Sequence, residues 1–308
     1  MHFIVTGGAG FIGSHVTETL LSQGYRVTVV DNLSTGFLQN LSDHPNLQFI
    51  KKDVVDCNPQ DFSSLIDGVA HLAATPSVGL SWENPLKVHN NNLSATISVI
   101  ELCKQLNIPK LVFASSASVY GNPIKLPILE SHPTDPISPY GLQKLVSEQY
   151  GQLFAETLPL SFIALRIFNV FGPRQLPNSS YSGVLSIFLN SMRQGQPITI
   201  YGDGSQTRDF IYVKDVANVF TQALTLPLTL GQYKSYNVAT GHSVSLLELV
   251  NILKIWFPQW NSTVNFATPR PGDIQHSRAE ISNLVSFLNF YPQFSLDVAI
   301  GMLAQTYK

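Results

Sequence analysis

The sequence predicts an α/β fold built on a doubly wound parallel sheet, with a smaller C-terminal substrate-binding lobe. Two observations predict this fold: short β-branched runs alternate with amphipathic stretches, and a glycine-rich loop joins the first run to the first helical stretch. Strands that alternate with helices are connected by right-handed crossovers and pair in parallel. Ligands of such a sheet bind beyond the carboxyl ends of its strands.

Six strands and three helices are expected in the first half of the chain. Each predicted strand is a short apolar run rich in β-branched residues. Each predicted helix has the length and the mixture of polar and apolar residues of a helix lying on a sheet. The predicted strands are FIVTG (3–7), RVTVVD (26–31), LQFIKKDV (47–54), VAHLAA (69–74), KLVFASS (110–116) and SFIALRIFNV (161–170). The predicted helices are Ser14 to Ser22, Val88 to Leu106 and Tyr140 to Thr157.

The regular alternation stops after Asn169. The remaining chain contains a turn-rich GPRQLPNSS, a helical SGVLSIFLNSMRQG, a short strand PITIYGDG, a helical SLLELVNILKIW, a Pro/Gly-rich segment and a last amphipathic piece. No linker or internal repeat separates the halves, which predicts two tightly packed lobes. We assign 1–168 to a cofactor-binding domain to which 211–240 returns, and 169–210 with 241–308 to the substrate lobe.

The composition excludes several classes of protein. The 308 residues are 44% hydrophobic and 12% charged, with a formal net charge of −2. This composition excludes disorder and gives no electrostatic reason to bind nucleic acid. A charged fraction below the ~25% of typical domains indicates that apolar surface is hidden in an oligomer. No apolar run approaches the ~18 residues of a membrane span and no signal sequence is present, so we expect a cytoplasmic protein without a membrane partner.

The sequence contains no pattern typical of a metal or disulfide site. Its two cysteines, Cys57 and Cys103, are too few for a disulfide framework and belong to no metal-spaced cluster. We expect two buried thiols and no bound metal.

The glycine-rich loop predicts a dinucleotide site. Gly7, Gly10 and Gly13 follow the first strand and open the first helix, where they permit a tight turn, close approach of a pyrophosphate and close helix–strand packing. Asp31 ends the second strand, where a carboxylate accepts hydrogen bonds from the adenosine ribose and repels the 2′-phosphate of NADP. The pattern therefore favours NAD. Asp53-Val54, after the third strand, has two open interpretations: a solvated turn or an adenine contact.

A Tyr-x-x-x-Lys pair predicts proton chemistry. Ser138 is an expected helix N-cap, and Tyr140 and Lys144 then share one face of the helix. A phenol becomes a base near neutral pH only if its pKa falls from ~10 to about 7, which needs roughly 4 kcal/mol from a neighbouring ammonium and an oxidised nicotinamide. Alone, this pair also fits an ordinary amphipathic face. Ser116, at the end of the fifth strand, either hydrogen-bonds the reacting oxygen or merely closes a strand-end turn.

Nine segments together resemble the extended short-chain dehydrogenase/reductases of the NAD-dependent epimerase/dehydratase family. Within it they are most similar to nucleotide-sugar 4-epimerases of the UDP-glucose 4-epimerase type. They span nearly the whole chain in the order of that family. The segments are TGGAGFIGSH, DNLSTG, HLAA, NLSAT, SSASVYG, SPYGLQK, LRIFNVFGPRQ, IYGDGSQTRDFIYVKDV and PRPGDIQHS.

The resemblance implies a Rossmann-type domain with tightly held NAD, and a cytoplasmic homodimer formed through the helices at 88–106 and 140–157. It implies catalysis by Ser116, Tyr140 and Lys144. The implied NAD contacts are Gly7, Gly10, Phe11, Ile12, Gly13, Asp31, Asn32, Ser34, Gly36, Asp53, Val54, Leu72, Ala73, Ala74, Asn92, Tyr140 and Lys144. The implied UDP-sugar contacts are Ser77, Ser116, Asn169, Val184, Thr199, Tyr201, Arg208, Arg270, Asp273 and Ser277. Arg208 and Arg270 suit a diphosphate clamp, although each also fits an ordinary surface charge.

A few residues separate the branches of this family. Related 4,6-dehydratases usually carry an Asp-Glu or Ser-Glu pair at the position of Ala117-Ser118. The resemblance therefore disfavours dehydration. Asn169 and the sequence after it disfavour a carboxylated sugar. The resemblance places Ser277, a small residue, at the position that limits room around the sugar C2 substituent in this family. The expected activity is interconversion of UDP-glucose and UDP-galactose, with UDP-GlcNAc and UDP-GalNAc as further candidates. A UDP-glucuronate 4-epimerase and an NAD-dependent keto-sugar reductase stay open as alternatives.

Overall fold

The computed structural model describes residues 1–62, 65–176, 183–227, 229–269 and 274–305. The first half of the chain forms, in order, β1 (His2–Thr6), α1 (Phe11–Ser22), β2 (Arg26–Asp31), β3 (Leu47–Lys51), β4 (Gly68–His71), α2 (Val78–Glu83), α3 (Pro85–His89), α4 (Ala95–Gln105), β5 (Lys110–Ser116), α5 (Pro139–Thr157) and β6 (Ser161–Ile167). The second half forms β7 (Asn169–Phe171), α6 (Val184–Arg193), β8 (Ile198–Tyr201), β9 (Thr207–Tyr212), α7 (Val213–Thr225), β10 (Tyr233–Val238), β11 (Ser243–Ser245), α8 (Leu246–Trp256), β12 (Val264–Ala267), α9 (Ser282–Leu288) and α10 (Leu296–Gln305).

The large sheet has seven strands in the order β10-β6-β5-β4-β1-β2-β3. Each of its neighbouring strand pairs is parallel. This arrangement confirms the predicted doubly wound parallel sheet. The strand order reverses at β1, which has β2 on one side and β4 on the other, so the ligand crevice is expected at the carboxyl end of β1.

Two helical layers cover this sheet. On one face α1 and α7 pack together, and Leu20 and Phe220 belong to the same buried cluster as Val5 of β1. On the other face α4 packs on the strands through side chains such as Ile100, which shares a buried cluster with Phe113 of β5. Both faces of the strands are therefore buried, which explains their continuous apolar runs.

The remaining elements form a second apolar core. A three-stranded sheet has the order β11-β9-β7, and β12 pairs with β8. The helices α6, α8 and α10 pack around them, with Phe188, Leu249 and Ile300 fully or almost fully buried in this core. Ser245 and Glu248 form a capping box that starts α8. This lobe lies at the end of β6, where the chain leaves the large sheet.

The prediction of one strand over 161–170 is wrong. β6 ends at Ile167, and β7 begins at Asn169 in the three-stranded sheet. Phe168 lies between them, buried, and its N–H still donates to the carbonyl of Val238 in β10. Ile167, Phe168 and Phe171 are all buried, so the apolar run continues across the change of sheet and only Asn169, the first residue of β7, interrupts it.

The predicted helix at 88–106 is also more complex than expected. It begins earlier, at Pro85, because the side chain of Asn84 accepts a hydrogen bond from Lys87 N–H and caps the first turn. A single π-helical stretch, Asn90–Ser94, separates α3 from α4. A π-helical stretch moves the following side chains out of the α-helical register, and such stretches often occur at functional sites.

The described ranges contain two thiols, but no metal-ligand cluster and no membrane-spanning helix. Cys103 is buried, whereas Cys57 is only half-buried, so the prediction for Cys57 is wrong. No group of three His, Cys, Asp or Glu side chains is arranged to hold a metal in the described part of the chain. No helix in those ranges is long and apolar enough to cross a bilayer.

A buried ion pair joins α5 to β6. Arg166 Nη2 lies 2.7 Å from Glu148 Oε2, and the two side chains are 6% and 2% exposed. Glu148 also accepts hydrogen bonds from the hydroxyls of Tyr233 and Ser115, and Arg166 Nη1 donates to Tyr120 Oη. The network lies directly behind Ser116, so it supports the end of the strand that carries that residue.

Replacing Arg166 with Met is expected to lower the free energy of unfolding by about 3–5 kcal/mol, because it leaves the Glu148 carboxylate buried without its cation. Urea denaturation measures the loss. Lys104→Met is the control, since it removes an exposed ion pair with Glu101 that is worth about 1 kcal/mol or less. Equal losses in the two variants would contradict a structural role for the buried pair.

Candidate active site

The glycine loop brings backbone very close to backbone. Gly7 has φ +67° and a Cβ atom there would lie 2.7 Å from Ala73 N. A Cβ on Gly13 would lie 2.1 Å from the Gly7 carbonyl oxygen. Gly10 is the N-cap of α1 and offers no side-chain cap. The first amides of α1 are therefore left for an external acceptor such as a phosphate.

Asp31 is held by the backbone at the edge of the same crevice. Its Oδ2 accepts a hydrogen bond from Ala9 N–H at 2.9 Å, and its Oδ1 accepts one from Leu33 N–H at 2.8 Å. Each oxygen keeps a further lone pair. The carboxylate is therefore fixed and still able to accept hydrogen bonds from a ribose.

A cavity of about 300 Å³ runs from this carboxylate past the glycine loop to α5. Most of the residues predicted to contact NAD line it: Gly7, Gly10, Phe11, Ile12, Gly13, Asp31, Asn32, Ser34, Asp53, Val54, Leu72, Ala73, Ala74, Tyr140 and Lys144. These polar groups fit a dinucleotide: carboxylate acceptors lie at one end, glycine amides in the middle and a hydroxyl–ammonium pair at the other end. Asp53 also caps the turn that follows β3, accepting from Val55 N–H.

Two of the predicted NAD contacts lie behind the cavity wall. Gly36 packs against the loop, where a Cβ would lie 3.0 Å from Asp31 Oδ2. Asn92, which is 2% exposed, accepts a hydrogen bond from Thr75 N–H at 2.7 Å and donates to Gln143. Both residues support neighbours that line the cavity.

The segment after β4 is fixed by a buried hydroxyl–imidazole chain. Thr6 Oγ1 lies 2.7 Å from His71 Nδ1 and accepts hydrogen bonds from the N–H groups of Leu72 and Ala73. His71 Nε2 lies 3.1 Å from Thr96 Oγ1. Burial lowers the pKa of His71 to about 3, so the ring is neutral. It positions the cavity wall and is no candidate proton carrier.

The start of α5 is built as the sequence predicts. Ser138 is the N-cap, and its Oγ accepts a hydrogen bond from Gly141 N–H at 3.1 Å. Tyr140 N–H donates to Ser81 Oγ, a buried hydroxyl on α2. The first turn of α5 is thus fixed from two sides, and Tyr140 and Lys144 point into the same cavity.

The three predicted catalytic side chains meet at the inner end of the cavity. Ser116 and Tyr140 both line this cavity, and the Ser116 hydroxyl partly lowers the pKa of the phenol. Ser116 Oγ accepts a hydrogen bond from Ser118 N–H at 3.2 Å, which leaves its own proton to be donated elsewhere. Lys144 Nζ donates to the Ala114 carbonyl at 2.7 Å and lies 5.9 Å from the centroid of the Tyr140 ring.

Burial dominates the pKa values of this set. It raises the pKa of Tyr140 to about 12, against a partial lowering by the Ser116 hydrogen bond. It lowers the pKa of Lys144 to about 7, which the charge of Glu148 partly offsets. The prediction from sequence counted the attraction between ammonium and phenolate and left out this desolvation. A larger stabilisation of the phenolate is therefore needed from the positive charge of a bound nicotinamide.

A second cavity, of about 540 Å³, lies on the other side of Tyr140. Four residues predicted to contact the sugar nucleotide line it, namely Ser116, Asn169, Arg208 and Ser277. Arg208 Nη1 donates to the carbonyl of Thr207 at 2.9 Å. Ser116 and Tyr140 line both cavities, so a group bound in either one meets the same two hydroxyls.

Other predicted sugar contacts are not brought to this cavity. Ser77 is buried as the N-cap of α2, where its Oγ accepts from Leu80 N–H. Val184, Thr199 and Tyr201 line neither cavity, and the last two share the exposed face of β8. Arg270 and Asp273 lie outside the described residues. These six assignments stay predictions.

The structure adds residues that no sequence pattern indicated. Trp82 lines the second cavity and is 64% exposed. Phe37, Lys52 and Arg174 line the first cavity. Arg174 belongs to the GPRQ sequence that follows β7. That sequence alone does not indicate that the arginine contacts α1.

Known proteins resemble this chain in both sequence and architecture. A sequence profile described as the NAD dependent epimerase/dehydratase family matches residues 3–239. A putative UDP-glucose 4-epimerase of Methanocaldococcus jannaschii is 37% identical over an alignment that covers 99% of this chain and 98% of that protein. The UDP-N-acetylglucosamine 4-epimerase from Methanobrevibacter ruminantium, solved with UDP-N-acetylmuramic acid, has 39% identity and a TM-score of 0.92, covering 99% of this chain and 97% of that one. The Thermus thermophilus UDP-glucose 4-epimerase, solved with NAD, has 32% identity and a TM-score of 0.89, covering 100% and 99%.

Proposed function

The chain belongs to the NAD dependent epimerase/dehydratase family, and on that premise we propose that it is a nucleotide-sugar 4-epimerase with a retained NAD. Its substrates are UDP-glucose and UDP-galactose, together with UDP-GlcNAc and UDP-GalNAc. One observation carries the proposal: Ser116 and Tyr140 form the shared wall of the cofactor cavity and the second cavity. A sugar 4-hydroxyl at that wall lies next to Tyr140, the proposed proton acceptor, and next to NAD in the first cavity.

Tyr140 is the proton carrier. NAD held by the residues of the first cavity would supply the hydride acceptor for C4 of the hexose and the hydride donor for its return to the opposite face. Tyr140 Oη takes the proton of the 4-hydroxyl and later gives it back to the same oxygen. Ser116 Oγ, whose lone pair is occupied by Ser118 N–H, donates a hydrogen bond to that oxygen throughout. No net oxidation of the sugar results.

Lys144 stabilises the phenolate form of Tyr140. Its ammonium group is four residues away on the same helical face and lies near the tyrosine ring. It also has further N–H donors, since its bond to the Ala114 carbonyl uses one of three. We assign those donors to the ribose next to the nicotinamide.

The sugar side of the site suits elimination poorly and an uncharged hexose well. Ala117 and Ser118 line the second cavity, where a dehydratase needs an acid and a base. Arg208 supplies a cation for the diphosphate. Ser277 is a small residue in the wall, which leaves room for an acetamido group. Val184, Thr199, Tyr201, Arg270 and Asp273 are further proposed contacts, on the family resemblance alone.

Retention of the cofactor separates an epimerase from a keto-sugar reductase of the same family. An epimerase regenerates NAD in each cycle and keeps it, whereas a reductase exchanges its cofactor. We expect protein purified without added NAD to release about one NAD per chain on denaturation, measured by chromatography. Protein that releases none, and that consumes added NADH stoichiometrically with a keto-sugar, is a reductase.

We further propose that the enzyme is a homodimer formed through α5 and the helical stretch made up of α3 and α4, which correspond to the predicted helices at 140–157 and 88–106. Leu142, Val146 and Leu153 lie along one face of α5, and Leu142 and Leu153 are 52% and 62% exposed. Leu86 of α3 is 70% exposed. Exposed apolar side chains at helical spacing are typical of a helix–helix interface.

The double variant Leu142→Glu/Leu153→Glu is expected to be a folded monomer, because it places four carboxylates in the proposed two-fold interface. Sedimentation velocity at micromolar concentration measures the change from the dimer of the unmodified protein. Val298→Glu on α10, where the side chain is 52% exposed, is the control and should stay dimeric. A monomeric unmodified protein would refute the interface.

We propose the cytoplasm as the location, as the sequence predicts. Fractionation of cells that express the untagged chain tests this, with its activity followed in each fraction. Activity confined to the membrane pellet would contradict the proposal.

A further inference from the structure

Arg174 lies in the wall of the cofactor cavity, beside the helix that follows the glycine loop. Its Nη1 donates to Ser14 Oγ at 3.1 Å, and its Nη2 donates to Glu18 Oε2 at 3.0 Å. Ser14 follows Gly13 directly, in the first turn of α1. The guanidinium group is therefore held next to the helix N-terminus that faces the diphosphate of a dinucleotide.

Arg174 is one of three cationic side chains that line this cavity among the described residues. The other two serve its two ends. Lys52 Nζ is 2.8 Å from Asp61 Oδ2, near the turn after β3. Lys144 Nζ donates to Ala114, beside Tyr140. A diphosphate places two negative charges in the middle of the cavity. Arg174 contacts α1 just after the glycine loop, so its cation lies beside that part of the cavity.

The backbone around Arg174 is also fixed against α1. His15 Nε2 lies 3.1 Å from the carbonyl oxygen of Pro173. Arg174 itself has φ +68°, a left-handed conformation that residues with a Cβ atom rarely adopt. Strained residues of this kind persist where the surrounding contacts require one geometry, often at functional sites. Gln175 and Leu176, which follow, line the cavity as well.

We propose that Arg174 binds the diphosphate of NAD, and that the segment 172–176 which it fastens to α1 slows release of the cofactor. The inference rests on the NAD-dependent function proposed above. A guanidinium has five N–H donors, and its hydrogen bonds to Ser14 and Glu18 use two of them. The remaining donors suit phosphate oxygens, which Arg binds through charge-assisted and often bidentate hydrogen bonds.

Release of bound NAD from the purified holoenzyme tests this role. The protein is diluted into excess ADP-ribose, and the NAD still bound is measured over time after rapid gel filtration. Arg174→Met is expected to release NAD about 10-fold faster or more, since a hydrogen bond to a charged group is lost. Arg174→Lys keeps the charge but loses the planar fork, so we expect an intermediate rate. Lys234→Met removes an exposed cation on β10, outside the cavity, and should release NAD at the unmodified rate.

The salt dependence gives a second readout. Raising the NaCl concentration from 0.05 to 0.5 M should speed NAD release from the unmodified protein more than from Arg174→Met, because a charge–charge contact is screened. Equal release rates for the Met, Lys and unmodified proteins would overturn this inference and leave the epimerase proposal standing. Unmodified protein that carries no NAD at all would overturn both.

Discussion

Replacing Tyr140 with Phe removes nearly all epimerase activity and leaves NAD on the protein. We expect turnover of UDP-galactose to fall at least ~100-fold, in the range that removal of a general acid–base group produces. The substitution deletes only the phenol oxygen, so the ring keeps its packing and the cavity keeps its shape. His71, at the end of β4, cannot take over the proton transfer, because its ring is buried, neutral and contacted by the hydroxyls of Thr6 and Thr96. A coupled assay for UDP-glucose measures the rate, and denaturation of the same sample measures the NAD content.

Tyr150→Phe is the matched control for this experiment. Tyr150 lies on the same helix, α5, but is 37% exposed and lines neither cavity. Its loss of a phenol oxygen should leave both the rate and the NAD content unchanged. Full activity in Tyr140→Phe would show that another group carries the proton, and the assignment of the site would then fail.

Replacing Gly13 with Ala has the opposite pattern: the protein folds but loses its NAD. The added Cβ would lie 2.1 Å from the Gly7 carbonyl oxygen and 2.9 Å from Gly8 Cα, so the loop and α1 must move apart. Overpacking of this kind costs about 1–3 kcal/mol, which corresponds to roughly 5- to 150-fold weaker binding if it falls on the cofactor-bound loop. The NAD content after purification and circular dichroism of the same sample measure the two effects.

Gly183→Ala provides the comparison, because a Cβ at Gly183 would meet only the end of the Gln175 side chain, at 3.7 Å. That variant should keep its NAD. Activity of Gly13→Ala should recover in part when excess NAD is added, because Ser116, Tyr140 and Lys144 are untouched. A Gly13→Ala protein that retains a full complement of NAD would show that the loop does not contact the cofactor.

The fold could be read from the sequence where periodicity carries the information. The alternation of strands and helices predicts a doubly wound parallel sheet, and the seven-stranded sheet confirms it. The change of sheet at Phe168 was not predicted, because apolar residues flank it on both sides and Asn169 alone interrupts them. The π-helical turn at Asn90–Ser94 likewise leaves no mark in a sequence that is helical on both sides.

Some residues of the candidate site could likewise be predicted from the sequence, and others could not. Tyr140 and Lys144 are one helical turn apart, and the three loop glycines are local in sequence, so both motifs could be recognised. The roles of Asn92 and Gly36 could not, because each acts through a neighbour that only the folded chain brings close. Arg174 reaches a partner 160 positions earlier in the chain, at Ser14. The raised pKa of Tyr140 depends on burial, which a helical pattern does not reveal.

The central claim is tested most directly by incubating the purified protein, without added NAD, with UDP-galactose, UDP-N-acetylgalactosamine and UDP-glucuronate in separate samples. Proton NMR follows the signal of the hydrogen on C4 of each sugar. We expect the first two to convert to equilibrium mixtures with their 4-epimers while UDP-glucuronate stays unchanged. If only UDP-glucuronate converts, the enzyme is a 4-epimerase of carboxylated sugars. If all three stay unchanged even after NAD is supplied, the chain is not a UDP-hexose 4-epimerase.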